Sequence, residues 1–351
     1  MHTSNQPTIG VRNSIPSFDI IKFVCCFLIL FIHASPLVDI APTLHFYISD
    51  VLSRSSVCVF FGISGYLAFC KMETCNGKIL NHTQNRSKLF RQWKRIALVY
   101  VTWVLVYILF MLPQWYRMNW WGMSLVKDLC ISFIFSGVHY HLWFLLSMLY
   151  ALPFLFLFCS YFKPRFLFAT AGLAWLLHCL SQSYGFLGVL DIPIFLWFEE
   201  HFPVIWIAIT RAYPLLAVGV LCARQKESHT SIYLPLISFA IYLGEASLLH
   251  FVYQSNSYTY LLSTPLFAYS MLHFLLTRQW NVPISVSKLC RNISLSIYCM
   301  HPLIIETYDL CSLPKGMLRF IIPAIITASL SVLWYFLSPV IKQRFTTGEI
   351  T

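Results

Sequence analysis

The chain has 351 residues, of which 58% are hydrophobic and only 11% carry a charge. Soluble proteins contain about 25% charged residues, so this composition excludes an ordinary soluble domain and indicates an integral membrane protein. The formal net charge is +11, but the basic residues lie between apolar runs. We therefore interpret the charge as a topology signal and expect no nucleic-acid partner.

Ten apolar runs approach the ~20 residues that a helix needs to cross a bilayer. They cover residues 18–38, 50–70, 93–113, 141–160, 165–183, 204–222, 231–251, 258–277, 292–310 and 317–340. A further run at 128–138 is too short for a span and is either re-entrant or interfacial. The sequence therefore predicts an all-α, polytopic membrane bundle of about ten transmembrane helices. Its regions are a tail (1–16), a membrane domain (17–340) and a second tail (341–351).

The distribution of Lys and Arg predicts the orientation of these spans. With the N-terminus in the cytoplasm, most basic residues fall in the cytoplasmic connections. The outside connections then hold only Arg117, Lys127, Lys315 and Arg319. Because cytoplasmic loops of membrane proteins carry an excess of Lys and Arg, we predict that both termini are cytoplasmic.

Cysteine and histidine spacings argue against a metal site. The 12 cysteines form no C-x-x-C pair and no Cys/His cluster with metal-ligand spacing, so we expect neither a disulfide framework nor a bound metal. His139 and His141 are two residues apart, and such side chains diverge on a helix. We interpret this pair as interfacial or acceptor-side groups. Ser64 and Gly65 in GISGYL are interpreted as small residues that permit close helix packing.

The first span carries two ionisable residues, Lys22 and His33. Their spacing corresponds to about 16 Å of helical rise and only ~20° of rotation, so both project from one face. Asp19 lies one turn before Lys22 and can pair with it. Ionisable residues inside a span are functional candidates, and we interpret the two as opposite ends of one polar passage. The alternative is that Lys22 snorkels to the headgroups and His33 satisfies a kink at Pro36.

Further ionisable residues map to the middle or outer half of the predicted membrane. These are Arg54, Arg211, Glu245 and His301. Buried charges of both signs at one depth are expected to face inward and pair. The pattern predicts an outward-opening polar cavity with His33 as its titratable centre. The alternative is a stabilising Arg–Glu pair without chemistry.

A basic run begins the third span, in KLFRQWKRIALVY. It contains Lys88, Arg91, Lys94 and Arg95. One interpretation is a topology signal that also attracts anionic lipid. The other is a phosphate clamp for a cytoplasmic donor, because Arg91 and Arg95 share a helix face.

Four segments in this order resemble the membrane acyltransferase family 3. They are DIIKFVCCFLILFIHASPL (19–37), LSRSSVCVFFGISGYL (52–67), HLWFLLSMLY (141–150) and ISLSIYCMHPLII (293–305). The mark of the family is a basic residue, ten positions and then His. Lys22-x10-His33 matches this spacing, although the family more often has Arg at the first position. The resemblance covers about residues 17–338.

The resemblance implies an enzyme of the bacterial cytoplasmic (inner) membrane that transfers acyl groups other than amino-acyl groups, with O-acetyl transfer expected. It implies movement of an acetyl or other acyl group from cytoplasmic acyl-CoA to a hydroxyl of an extracytoplasmic glycan or lipid-linked sugar, as in modification of a cell-envelope polysaccharide. His33 would then be the general base. The residues that would hold the CoA phosphates are Lys22, Arg91, Lys94 and Arg95. Those assigned by depth to the acceptor or to a developing oxyanion are Arg54, Arg211, Glu245 and His301.

The segments HASPL and RAYPLLAVG (211–219) also resemble the membrane half of vancomycin-resistance serine racemases, which belongs to the same broad family. That half is thought to move or present a small amino acid. The alternative function is therefore a transporter or binding domain. An acyltransferase should consume acyl-CoA and depend on His33, whereas a transporter should depend on Glu245 and Arg211. Membrane lipid is an expected partner in both cases.

Overall fold

The fold is described from a computed structural model that covers residues 15–190, 192–225, 231–255, 258, 260–278 and 280–347. The predicted N-terminal tail lies outside the described residues up to position 14, and the predicted C-terminal tail does so from position 348.

The described chain is helical along most of its length. Its helices are α1 (Pro16–Ala34), α2 (Pro42–His45), α3 (Arg54–Phe69), α4 (Thr83–Arg117), α5 (Met123–Phe135), α6 (Trp143–Tyr161), α7 (Pro164–Ser181), α8 (Pro193–His201), α9 (Pro203–Ile207), α10 (Tyr213–Arg224), α11 (Tyr233–Phe251), α12 (Thr264–Thr277), α13 (Ile284–Leu310) and α14 (Met317–Thr347). A π-helical segment, Phe46–Ser53, joins α2 to α3, and another, Ala208–Ala212, joins α9 to α10. A 3-10 turn, Gly185–Leu187, follows α7.

Within the described ranges, seven helical runs are long and apolar enough to cross a membrane. They are Pro16–Ala34, Pro42–Phe69, Thr83–Arg117, Trp143–Tyr161, Pro203–Arg224, Tyr233–Phe251 and Met317–Ser338. The all-α membrane class is thus confirmed. The other three predicted spans are also helical, as α7, α12 and α13. However, α12 has only 14 residues, and α7 and α13 contain charged side chains such as Arg165 and Lys288. The count of ten spans and the orientation stay predictions.

Two predicted spans begin later than expected because turns precede them. Before α6, Gly137 has a φ of +85°, a left-handed conformation that ends the preceding helical path and suits glycine. Before α12, the backbone N–H groups of Leu262 and Ser263 bond to the Glu245 side chain. Hydropathy does not register either turn, because the flanking residues are apolar.

Helices α3 and α10 cross in direct backbone contact. A Cβ atom added at Gly65 would overlap the carbonyl group of Leu216, and one added at Gly219 would overlap the backbone at Gly62 and Tyr66. Small residues allow such approaches in membrane bundles. The interpretation of Gly65 as a packing residue is therefore confirmed.

A short hairpin closes the connection between α3 and α4. Its strands, β1 (Thr74–Cys75) and β2 (Lys78–Ile79), pair antiparallel. Asn76 and Gly77 between them have φ values of +47° and +74°, which match the primed two-residue turns that suit the twist of a hairpin. Backbone hydrogen bonds of the hairpin therefore give the connection between α3 and α4 a defined structure.

Candidate active site at the end of the first helix

A cavity of about 150 Å³ lies between the helices, with walls from α1, α3, α6, α13 and the segments that precede α6, α10 and α12. The side chains with polar atoms in its lining are His33, Arg54, His141, Trp143, Arg211, Tyr260 and Tyr298. We call this cavity the chamber. It has room for about five water molecules, at the ~30 Å³ that each takes up in the liquid. The structure thus brings together His33, Arg54 and Arg211, three of the residues singled out in the sequence.

His33 stands in the last turn of α1, where the chain stops being helical. Ser35, the next residue but one, has a φ of +45° and ends the helix with a left-handed cap. Arg319 of α14 donates to the carbonyl groups of His33 and Ala34, at 3.1 and 2.6 Å. Arg319 itself pairs with Asp309 at 2.6 Å. These contacts fix the helix end that carries the imidazole.

A second imidazole, that of His301, stacks on His33 with ring centroids 5.2 Å apart. His301 is fully buried. Its Nδ1 lies 2.7 Å from the carbonyl oxygen of Tyr298, and because a carbonyl only accepts, Nδ1 must hold the proton. The Nε2 atom has no partner among the described residues. The Nδ1–H bond therefore orients the His301 ring, which packs against His33.

His139 and His141 converge on the same region. Their Nδ1 atoms are 3.0 Å apart, which contradicts the expectation that they diverge. The reason is that residues 136–142 form turns and not a helix, so the helical argument does not apply. Tyr298 donates to the carbonyl oxygen of His141 at 2.6 Å and anchors the segment to α13.

The hydrogen bonds of this pair specify where its protons lie. His139 Nε2 is 2.9 Å from a carboxylate oxygen of Glu306, so Nε2 donates. A neutral His139 must then accept at Nδ1 from the Nδ1–H of His141. This leaves Nε2 of His141 as an unprotonated atom without a described partner, on a residue that lines the chamber. The Glu306–His139–His141 chain thus presents a second candidate base.

Arg211 is held in the chamber wall by aromatic rings. Its side chain is only 5% exposed, and its Cζ lies 4.2 Å from the ring centroids of both Trp143 and Tyr260. It also donates to the Tyr260 hydroxyl. Its Nε has no hydrogen-bond partner within the described chain. Cation–π contacts of this kind offset part of the cost of burying a guanidinium.

The two chamber arginines share an unusual local backbone. Arg211 lies inside the π-helical segment Ala208–Ala212, and Arg54 follows directly on the π-helical segment Phe46–Ser53. Arg54 pairs with Asp50 at 3.0 Å. π-helical turns are rare and are frequent at functional sites. Hydropathy cannot reveal them, because the residues involved are compatible with an ordinary helix.

Glu245 is placed differently from the expectation. Its carboxylate accepts from the Tyr184 hydroxyl at 2.5 Å and from the backbone of Leu262 and Ser263 at 2.6 and 2.9 Å. Burial and this hydrogen bond raise the pKa of Tyr184, which stays a neutral donor. Within the described residues Glu245 forms no ion pair with Arg54 or Arg211. The expected Arg–Glu pair is therefore wrong, because loop N–H groups occupy the carboxylate.

The predicted donor-side residues lie away from the chamber. Lys22 lies about three turns before His33 on α1 and pairs with Asp19 at 3.5 Å. Asp19 also accepts from Ser287 at 2.8 Å and lies 3.9 Å from Arg291. Arg291 was not among the site residues predicted from the sequence. Arg91, Lys94 and Arg95 are exposed on α4 and are not among the residues that line the chamber.

In the part of the chain that the structure describes, no group of three or more His, Cys, Asp or Glu side chains is arranged to hold a metal ion.

Comparison with known proteins decides the family. A family model described as an acyltransferase domain matches residues 15–341. The chain belongs to this acyltransferase family. The resemblance that the four sequence segments indicated is thus confirmed. The family and the apolar helices together identify a multi-pass membrane protein.

Two curated relatives are amino-acid racemases of Enterococcus faecalis. One is 25% identical over 174 residues, which cover 49% of this acyltransferase and 22% of the relative. The other is 25% identical over 303 residues, which cover 82% of this chain and 40% of the relative. The chain therefore spans less than half the length of either racemase. No solved structure matches it.

Proposed function

We propose that the protein transfers an acetyl or other acyl group from cytoplasmic acyl-CoA to a hydroxyl of an extracytoplasmic glycan or lipid-linked sugar. One observation carries the proposal: in a member of an acyltransferase family, His33 lines a partly enclosed chamber beside two arginines. The chamber offers a base and cations to the same reacting atoms of a thioester and an alcohol.

In the proposed reaction His33 is the general base. It takes the proton of the acceptor hydroxyl as that oxygen attacks the thioester carbonyl carbon. The carbonyl electrons move onto oxygen, and the guanidinium of Arg54 or Arg211 stabilises the resulting oxyanion. Collapse of this intermediate breaks the C–S bond, and the departing CoA sulfur takes the proton from the imidazolium. The products are an ester and free CoA.

The donor is proposed to arrive from the opposite end of α1. Lys22 and the exposed basic residues at the start of α4 would bind the CoA phosphates, and Arg291 adds a further cation near Lys22. Because about 16 Å of helix separates Lys22 from His33, only the extended, thioester-bearing arm of CoA would reach the chamber. This would explain why Lys22 and His33 lie on the same face of α1.

We expect His33→Ala to lower acyl transfer by about 10²–10⁴-fold, the range contributed by a general base. The purified protein is reconstituted in lipid nanodiscs with [14C]acetyl-CoA and a cell-envelope glycan fraction, and labelled glycan and free CoA are measured. The matched control is His201→Ala, which removes an exposed imidazole from α8. Full activity of His33→Ala, or equal losses in both variants, contradicts the role of His33.

The alternative is transport or binding of a small amino acid, and the matches to amino-acid racemases favour it as the second candidate. Proteoliposomes distinguish the two functions. Uptake of a radiolabelled amino acid without acetyl-CoA, abolished by Arg211→Gln or Glu245→Gln and unaffected by His33→Ala, would replace the enzymatic proposal. Consumption of acetyl-CoA that requires His33 would retain it.

A further inference from the structure

We infer that the ligand of the chamber carries an anionic group, a carboxylate or a phosphate, and that Arg211 binds this group. The inference deepens the proposed function, on which it rests insofar as this ligand is the acyl acceptor. The binding itself does not require acyl transfer and is tested separately from it.

The first observation is charge. The chamber wall contains the guanidinium groups of Arg54 and Arg211, and no acidic side chain is among its described lining residues. Arg54 has Asp50 as an ion-pair partner, whereas the ion pairs formed by described residues do not include Arg211. A buried cation without a counter-ion is costly in a membrane. An anionic ligand would remove this cost on binding.

The second observation is the arrangement of donors on Arg211. Trp143 and Tyr260 lie against the guanidinium, each at 4.2 Å, and restrict its orientation without cancelling its charge. The Nε–H is buried and lacks a partner among the described residues. The in-plane edge of a guanidinium matches the two oxygens of a carboxylate or phosphate. An oxyanion at this edge would satisfy both the charge and the orphaned donor.

The third observation is size. About five water molecules, at ~30 Å³ each, fit in a cavity of this volume, which limits the ligand part inside it to one small unit, such as an amino acid or a single sugar ring. The same chamber contains His33, so a single small unit can place its anion on Arg211 and a hydroxyl near the imidazole. This juxtaposition points to an anionic acceptor unit, such as a uronic acid, an amino acid or a phosphorylated sugar, in preference to a neutral sugar.

The test uses the purified full chain in detergent without acetyl-CoA. Its thermal unfolding is measured against increasing glucose, glucuronate or glucose 6-phosphate at constant ionic strength. We expect at least one anionic sugar to raise the unfolding midpoint and glucose not to do so. Arg211→Gln should raise the half-maximal concentration about tenfold or more, the loss expected for a charge-assisted hydrogen bond. Arg117→Gln, which removes an exposed arginine at the end of α4, should respond like the unaltered protein.

Each outcome decides the inference. A response to glucuronate alone identifies a carboxylate ligand, and a response to glucose 6-phosphate alone identifies a phosphate ligand. Equal responses to all three sugars, no response to any, or an anion response unchanged in Arg211→Gln overturns the inference. Should Arg211→Gln fail to fold, Arg211→Lys replaces it, because it keeps the charge and loses the planar edge. If the protein does not turn over acetyl-CoA but still responds to an anionic sugar, the enzyme assignment is wrong and this inference is retained.

Discussion

At the scale of single residues, the two imidazoles on the chamber wall are oriented by different neighbours. His33 depends on the end of α1, which Arg319 caps through backbone carbonyl groups. His141 depends on His139 and, through it, on the Glu306 carboxylate. The contacts of Arg319 fix the position of the His33 ring. The contacts of His139 and Glu306 also determine which nitrogen of His141 carries the proton. The two rings therefore respond differently to substitution of their supports.

We expect Glu306→Gln to lower turnover by about 10–100-fold, since a hydrogen bond to a charged group contributes about 1.5–3 kcal/mol. Gln can still accept from His139 Nε2, so the proton positions are retained while the negative charge is lost. Without that charge the hydrogen bond from His139 is weaker, and so is the support that orients His141 in the chamber wall. Turnover is measured in nanodiscs.

The control is Glu73→Gln, because Glu73 pairs with His82 at 3.2 Å in the connection between α3 and α4, apart from the chamber lining. It should leave turnover unchanged. Full turnover in Glu306→Gln, or equal losses in both variants, would contradict a role of Glu306 in orienting the histidine pair.

At the scale of helices, the crossing of α3 and α10 is the feature most sensitive to substitution. We expect Gly65→Ala to destabilise the protein by about 1–3 kcal/mol, the usual cost of overpacking, because the new methyl group meets backbone atoms that cannot rotate away. Gly172→Ala in α7 is the matched control, since nothing lies within 4 Å of its added Cβ. It should be neutral or stabilise by about 0.5–1 kcal/mol.

Unfolding of the purified protein in detergent measures both glycine variants. The crossing carries Arg54 on one helix and Arg211 next to the other, so Gly65→Ala should also weaken binding in the chamber. Equal stability of the two variants would mean that α3 and α10 separate without cost, contrary to the described contact.

At the scale of the whole molecule, two exposed cysteines test the predicted orientation. Cys75 lies between α3 and α4, on the predicted cytoplasmic side, and Cys311 lies between α13 and α14, on the predicted outer side. In single-cysteine variants, a membrane-impermeant maleimide should label Cys311 in intact cells and Cys75 only after permeabilisation. The reverse pattern would invert the topology, and labelling of both in intact cells would change the number of spans between them.

Much of the helical bundle follows from hydropathy, because spans need long apolar runs. Hydropathy placed the start of α12 too early, since it does not record which loop N–H groups a carboxylate binds. The grouping of His33, Arg54 and Arg211 was predictable from depth alone. The convergence of His139 and His141 was not predictable in this way, because the spacing of a helix was applied to residues that form a turn. Gly137, which precedes them, was the residue that could have indicated a turn. The contacts of Trp143 and Tyr260 with Arg211 were not predictable, because aromatic residues are abundant throughout this chain and nothing in the sequence distinguishes these two.

The glycine crossing has a mechanical consequence for the two guanidinium groups. Backbone atoms touch where α3 meets α10, and backbone atoms have no rotamers through which to relax. The separation of the two helix backbones that lead to these arginines is therefore set by a steric limit, whereas the aromatic walls of the chamber depend on adjustable side chains. Heating or a thinner bilayer would loosen those walls well before it altered the distance between the two backbones.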